Sequence, residues 1–161
     1  MMAKLTIMVG FPRSGKSTWI EENKGDSIVV EIDWIRNNIL GNSYHKASEP
    51  ALWLVADSTT RICLGQGRDV ILDGINLHSF VRAKYIELAK SMDCEVECAW
   101  VNTSMAICMN RNTKSDDAQK LSPEALYSMR DSFHPPTEGE GFSNVRIINT
   151  EGDSCQKQQQ N

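Results

Sequence analysis

The stretch GFPRSGKST, Gly10 to Thr18, decides the fold of this 161-residue chain. It places Gly10, Gly15, Lys16 and Ser17 in the defining positions of the pattern G-x-x-x-x-G-K-[ST]. Before it, Lys4 to Val9 is an apolar, β-branched run that reads as a strand. After it, a helix opens near Lys16 and fades near Asn23 and Gly25, where turn residues cluster. Strand, glycine loop and helix in that order make a phosphate cradle. The glycines let the backbone wrap phosphates, and consecutive N–H groups point inward at a helix N-terminus. Lys16 neutralises β and γ charge, and the Ser17 hydroxyl can hold Mg²⁺. Pro12 removes a donor at the loop tip and stiffens it. Arg13 beside it either contacts phosphate or is solvated.

Outward from the loop, the pattern alternates strands with helices. Ser27 to Ile32 reads as a second strand, Asp33 to Leu40 as a short helix and Gly41 to Ser48 as a polar loop. From Glu49 to Gln66, the residues Leu52, Val55, Ala56, Thr59, Ile62 and Cys63 recur at the three and four spacing of one buried helix face. DVILDG is too short for a helix and suits a strand covered on both sides. Ser79 is expected to cap the next helix, which runs to about Met92. CEVECAWV, from Cys94, reads as a fourth strand with its acids on one face. Thr103 or Ser104 opens a helix to about Asn112, followed by NTKSDDAQK, a mobile, charged connection. Ser122 and Pro123 open a further helix as cap and first turn. Val145 to Asn149 supplies a fifth strand, and the glutamine-rich end is expected to fray.

This order implies an α/β fold, a parallel five-stranded sheet with helices on both faces joined by right-handed crossovers. One domain is expected over residues 1–150, with a polar tail over 151–161. Ligands in such sheets bind at the carboxyl ends of the strands, so Gly10, Asp33, Asp73 and Asn102 should open onto one rim.

Composition narrows the partners. At 40% hydrophobic and 24% charged, the chain has the make-up of a globular domain. A net charge of −4 argues against a broad basic surface for duplex nucleic acid, so any polyanion site must be local. No apolar run approaches the roughly 20 residues that span a bilayer, and no signal-peptide pattern opens the chain, so no membrane partner and a cytoplasmic location are expected. Five cysteines, Cys63, Cys94, Cys98, Cys108 and Cys155, show no metal-like spacing and read as free thiols, with no metal cluster.

Three rim positions carry chemistry. Asp33 ends the second strand with Arg36 three residues on, so the two share a face if helix begins there. A carboxylate there can accept a proton from an attacking hydroxyl and a neighbouring Arg can hold an anionic substrate; the plainer alternative is a helix cap and a surface Arg. Asp73 closes a buried strand, either ordering a Mg²⁺ shell beside the loop or capping the strand. Arg111 ends a helix before the charged connection, where it can fold over a bound nucleotide or simply complement the helix dipole.

The sequence resembles the 5′-kinase domain of polynucleotide kinases, within the P-loop kinases that include the zeta-toxin-like kinases. The matches are GFPRSGKST, then DWIR with Asp33 and Arg36, then DGINLHSFVRAKY with Asp73, Asn76, Arg82 and Tyr85, then MNRN with Arg111, and finally LSPEALYSMRDSFHPPTEGEGF. The resemblance implies a P-loop kinase fold with a short mobile lid, ATP and Mg²⁺ as cofactors, and nucleic acid 5′ ends as substrate. Gly10, Arg13, Ser14, Gly15, Lys16, Ser17, Thr18 and Arg111 would bind ATP, and Ser17 with Asp73 would hold the metal. Lys16 and Asp33 would be catalytic, Asp33 as general base for a 5′-hydroxyl, and Arg36, Asn76 and Arg82 would bind the acceptor. The chain departs from the phage-type pattern at Ser115, where a second lid arginine is expected; Lys114 is adjacent and Lys120 further on, and a lysine can replace the charge but not the fork of donors. A P-loop kinase for a small metabolite, nucleotide sugar or aminoacyl-tRNA remains an alternative, as does a nucleotide-binding switch or assembly ATPase.

Overall fold

Alternating strands and helices are what a computed structural model of the chain contains, and it describes residues 2–41, 44–115 and 120–150. In chain order the elements are β1 Lys4–Val9, α1 Lys16–Asn23, β2 Ile28–Glu31, α2 Ile32–Trp34, α3 Glu49–Gly65, β3 Val70–Asp73, α4 Ser79–Ser91, β4 Glu95–Asn102, α5 Met105–Thr113, α6 Pro123–Asp131 and β5 Asn144–Asn149. The strands pair in the order β2-β3-β1-β4-β5, every pair parallel. Each strand therefore ends on the same rim.

The period of two in the strands decides what each sheet face buries. Leu5, Ile7 and Val9 of β1, Leu72 of β3 and Cys98 of β4 join one core cluster with Leu52 and Ala56 of α3 and Leu88 of α4. The alternate residues Met8, Ile71, Ala99 and Val101 form a smaller cluster with Ile20 of α1. Each buried leucine or isoleucine contributes about 1.5–3 kcal/mol relative to exposure. The acids of β4 do share one face, but Glu97 is buried there, accepting the Thr6 hydroxyl at 3.1 Å and pairing with Lys4 at 3.1 Å.

Two local expectations change. The helix expected over 33–40 begins at Ile32 and widens into a π turn over Ile35–Ile39, with Leu40 N donating to Ile35 O at 3.2 Å. Ser79 is the first residue of α4 rather than its cap; its hydroxyl lies 3.2 Å from His134 Nδ1, and the chain enters the helix through His78. The charged connection is described only up to Ser115 and from Lys120, and the tail 151–161 lies outside the described residues, as does Cys155. Ser122 does cap α6, accepting from Ala125 N at 3.2 Å.

Arg82, expected at the acceptor site, is a fold residue instead. Its side chain is fully buried, and its guanidinium donates to Glu140 twice, at 2.8 and 2.7 Å, to Asn76 O at 2.9 Å and to His134 O at 2.8 Å. It thereby staples the segment after α6 to the loop after β3. Four of its five N–H groups are thus engaged inside the fold rather than at the rim. Arg82→Ala would strand Glu140 with most of its surface covered, so the variant should lose about 3–5 kcal/mol of stability in urea unfolding. A variant of wild-type stability with weakened acceptor use would instead return Arg82 to the site.

Candidate active site

The phosphate loop joins β1 to α1, and its shape depends on two glycines. A Cβ on Gly10 would lie 2.8 Å from Ser14 Oγ and 3.0 Å from Val101 O, so a side chain does not fit. Gly15 has φ 105°, a left-handed conformation that L side chains rarely adopt, and it caps α1 without a side-chain acceptor. The first N–H groups of α1 thus remain available to an anion. Inside the loop, Lys16 Nζ donates to Gly10 O at 3.0 Å and Phe11 O at 2.9 Å. Burial holds its ammonium below the usual lysine value, and the carboxylate of Asp73 opposes that shift. Ser17 and Thr18 are exposed at the mouth. Ser14 is turned inward: its hydroxyl is buried without a partner, and its carbonyl accepts from Thr103 at 2.7 Å.

The neighbouring strand ends bring the acids together. Glu31 and Asp73 are register partners on β2 and β3, and with Ser17 and Lys24 they line a cavity of about 260 Å³ beside α1. Parallel partners point to the same side of the sheet, so their charges meet. Asp73 lies above the usual carboxylate value because of burial, with Asp33 adding to the shift and Lys16 opposing it. Glu31 is raised by burial and by both aspartates.

Asp33, in the first turn of α2, pairs with Arg36 Nη1 at 2.5 Å. Arg36 is further gripped by Glu49, the first residue of α3, with Nε to Oε1 at 3.1 Å and Nη2 to Oε2 at 3.3 Å. Burial works against the Arg36 charge, but the bonds and field of Glu49, then Asp33, raise its pKa overall. Glu49 was not a sequence candidate. Its position in a helix first turn is ordinary, and nothing in the linear pattern says that α3 begins opposite the turn carrying Arg36.

On the other side of the loop, Arg111 in the last turn of α5 donates to Arg13 O at 2.9 Å, and its guanidinium would lie 4.0 Å from a Cβ on Gly15. Lys114 is exposed just beyond α5, and Lys120 Nζ is bonded to Thr113 O at 3.0 Å. Asn76 does not face the rim: its buried side chain donates to Met8 O at 2.8 Å, and its φ of 44° shapes the turn after β3. The structure therefore gathers Gly10, Arg13, Gly15, Lys16, Ser17, Thr18, Asp33, Arg36, Asp73 and Arg111 around the loop. It withdraws Asn76, Arg82 and the Ser14 side chain. Among the described residues, no group of three or more His, Cys, Asp and Glu is placed to hold a metal on its own, and no helix is long and apolar enough to cross a membrane.

A family model described as AAA domain matches residues 5–136. The bifunctional polynucleotide phosphatase/kinase of Schizosaccharomyces pombe is 25% identical over 150 residues, which covers 90% of this chain and 33% of that protein. The chain thus spans about a third of that relative's length. A putative kinase from Chloroflexus aurantiacus superposes with a TM-score of 0.76 at 13% identity, covering 95% of this chain and 88% of its own. Chaetomium thermophilum Kti12, in complex with ADP-AlF3, superposes with a TM-score of 0.68 at 16% identity, covering 96% and 94%. At these identities the two structures speak to the fold alone.

The raised pKa of Asp73 makes a stability prediction. Its folded pKa exceeds its unfolded one, so ionisation costs the ligand-free fold stability above that folded value, and the cost disappears in acid. Asp73→Asn should therefore melt higher than the wild-type chain near pH ~7 without nucleotide or Mg²⁺, and the gap should close as pH falls through the carboxylate range, about 4. Thermal denaturation at both pH values checks it. A variant less stable at neutral pH would mean that attraction to Lys16 outweighs the burial penalty.

Proposed function

Because the chain belongs to the AAA-domain family and has a P-loop kinase fold, we propose that it transfers the γ-phosphate of ATP to the 5′-hydroxyl end of a DNA or RNA strand. The observation that carries this reading is the meeting, on one rim, of a donor cradle with a carboxylate–guanidinium pair, Asp33 and Arg36. A switch or assembly ATPase has a use for the cradle and none for that pair. The likeness to a relative named polynucleotide phosphatase/kinase supports the choice of acceptor.

On this reading the loop backbone over Gly10 to Gly15, the N–H groups of Lys16, Ser17 and Thr18, and the side chains of Arg13 and Arg111 hold the triphosphate. Lys16 exchanges the carbonyls of Gly10 and Phe11 for phosphate oxygens, so its charge is already inside the cradle when ATP arrives. Ser17 and Asp73 would hold Mg²⁺, and the residues present fit it. The charges of Asp33 and Asp73 both act on Lys16 and on Glu31, and such a concentration of negative charge at the rim suits a divalent cation bound together with phosphate oxygens. When bound, Mg²⁺ neutralises charge on the phosphate oxygens.

Asp33 is two-thirds exposed and carries no backbone bond, so its carboxylate is open to an incoming hydroxyl. It accepts the proton as the 5′ oxygen bonds to the γ-phosphorus and the bridging oxygen leaves with its electron pair as part of ADP. Arg36, oriented by Glu49, would hold the first phosphate of the acceptor strand. Its two carboxylate partners also favour a second reading, since they already offset its charge: a neutral small-metabolite acceptor would need less from Arg36.

The test offers γ-labelled ATP and Mg²⁺ with a 5′-OH oligonucleotide to the full chain and to Asp33→Asn. Label should appear on the 5′ end and fall by about 10²–10⁴-fold in the variant. ATP hydrolysis indifferent to both oligonucleotide and Asp33 would sink the proposal. Arg36→Ala should raise the oligonucleotide KM well above any change in the ATP KM; an unchanged acceptor KM would favour the metabolite reading.

A further inference from the structure

Next to Arg111 sits Asn112, which the linear pattern left unremarked. It is one of the few polar residues in the buried set, 4% exposed. Both ends of its amide bond the same residue on another segment: Nδ2 donates to Leu121 O at 2.8 Å, and Leu121 N donates to Oδ1 at 3.0 Å. This double bond of donor and acceptor imitates a rung between strands and fixes which way the amide lies. Leu121 immediately precedes Ser122, the cap of α6, so one side chain ties the last turn of α5 to the start of α6.

The pair of helices so joined touches the phosphate loop twice. At the α5 end, Arg111 donates to Arg13 O at 2.9 Å. Beyond the α6 end, Phe133 packs edge-on against Phe11 with ring centroids 5.3 Å apart, and against Trp100 at 5.6 Å. Adjacent residues on a helix point about 100° apart. Arg111 and Asn112 accordingly reach in different directions, one to the loop and one to α6.

We infer that Asn112 is a positioning residue for the donor nucleotide, acting through Arg111, an inference that rests on the reading of Arg111 as a nucleotide contact. The reason is one of order. A nine-residue helix is marginal alone, its last turn frays first, and an arginine carries much rotamer freedom into binding. With the last turn riveted to α6, and α6 leading to a contact on the same loop, Arg111 is held over Gly15 before ATP arrives. It then exchanges the Arg13 carbonyl for phosphate without first ordering the helix end. An amide suits the position because it both donates and accepts. A carboxylate in its place keeps only the bond from Leu121 N.

A double-mutant cycle tests this. Nucleotide Kd, ATP KM, acceptor KM, kcat and thermal midpoint are measured for the full chain, Arg111→Ala, Asn112→Ala, Asn112→Asp and the variant carrying both alanines. Asn112→Ala should weaken ADP and ATP binding by about two- to tenfold, with little change in acceptor KM. Asn112→Asp should fall between, and it serves alone should the alanine variant fail to fold. In the Arg111→Ala background the Asn112 substitution should have no further effect on nucleotide Kd. If it weakens nucleotide equally in both backgrounds, or lowers only the thermal midpoint, Asn112 is a structural brace and the inference is overturned. If Arg111→Ala itself leaves Kd unchanged, the reading of Arg111 fails and the inference falls with it; the first result leaves that reading standing.

Discussion

A side chain at position 10 has nowhere to go, and the site is arranged around that constraint. A Cβ there would run into Ser14 Oγ on its own loop and Val101 O on β4, while the Gly10 N–H donates to Ile75 O after β3 at 3.2 Å. The exits of β1, β3 and β4 are thereby drawn to one point. Because all five strands are parallel, the acids that end β2 and β3 arrive on the same rim. The glycine closes the loop tightly enough for the Lys16 ammonium to bridge the carbonyls of residues 10 and 11.

Much of this architecture is legible in the sequence because short-range patterns decide it. The loop motif fixes the first strand and helix, and short apolar runs such as VILD mark strands buried on both faces. Ser-Pro at 122 and 123 marks a helix start that the Ser122 hydroxyl does cap. What the pattern misses depends on which side chains meet across the fold. Arg82 lies in a motif whose resemblance points to the acceptor, yet it faces inward, because α4 turns that position toward Glu140 and His134. Asn76 goes the same way, since a left-handed φ swings its amide onto β1. Glu49 and Asn112 went unremarked for the converse reason: an acid at a helix start and an amide at a helix end are ordinary residues until the partner is known.

The rim is electrostatically uncomfortable without ligand. Lys16 is held below its usual pKa by burial, while Glu31 is pushed up by burial and by Asp73 and Asp33, and Asp73 by burial and by Asp33. These are opposite displacements of groups that would be content in water, and on the proposed reading each would be relieved by a different part of a nucleotide–metal complex: anionic phosphate for Lys16, a cation for the carboxylates. The charges at the rim thus carry some cost to the empty fold.

Arg36 and Arg111 illustrate two ways of holding an arginine ready. Arg36 is fixed by charge, its fork filled by Glu49 and Asp33, so an acceptor phosphate, on the proposed reading, would have to compete with carboxylates and would bind more weakly for it. Arg111 is exposed and spends a donor on a neutral carbonyl, which a phosphate displaces readily because a charge-assisted bond is the stronger one. On the proposed reading the donor side would therefore gain from order supplied at a distance, through Asn112 and α6, with little electrostatic competition. The acceptor side would gain orientation at the expense of affinity. A kinase built this way would hold its nucleotide firmly and release its phosphorylated product easily, since the product adds negative charge beside Asp33.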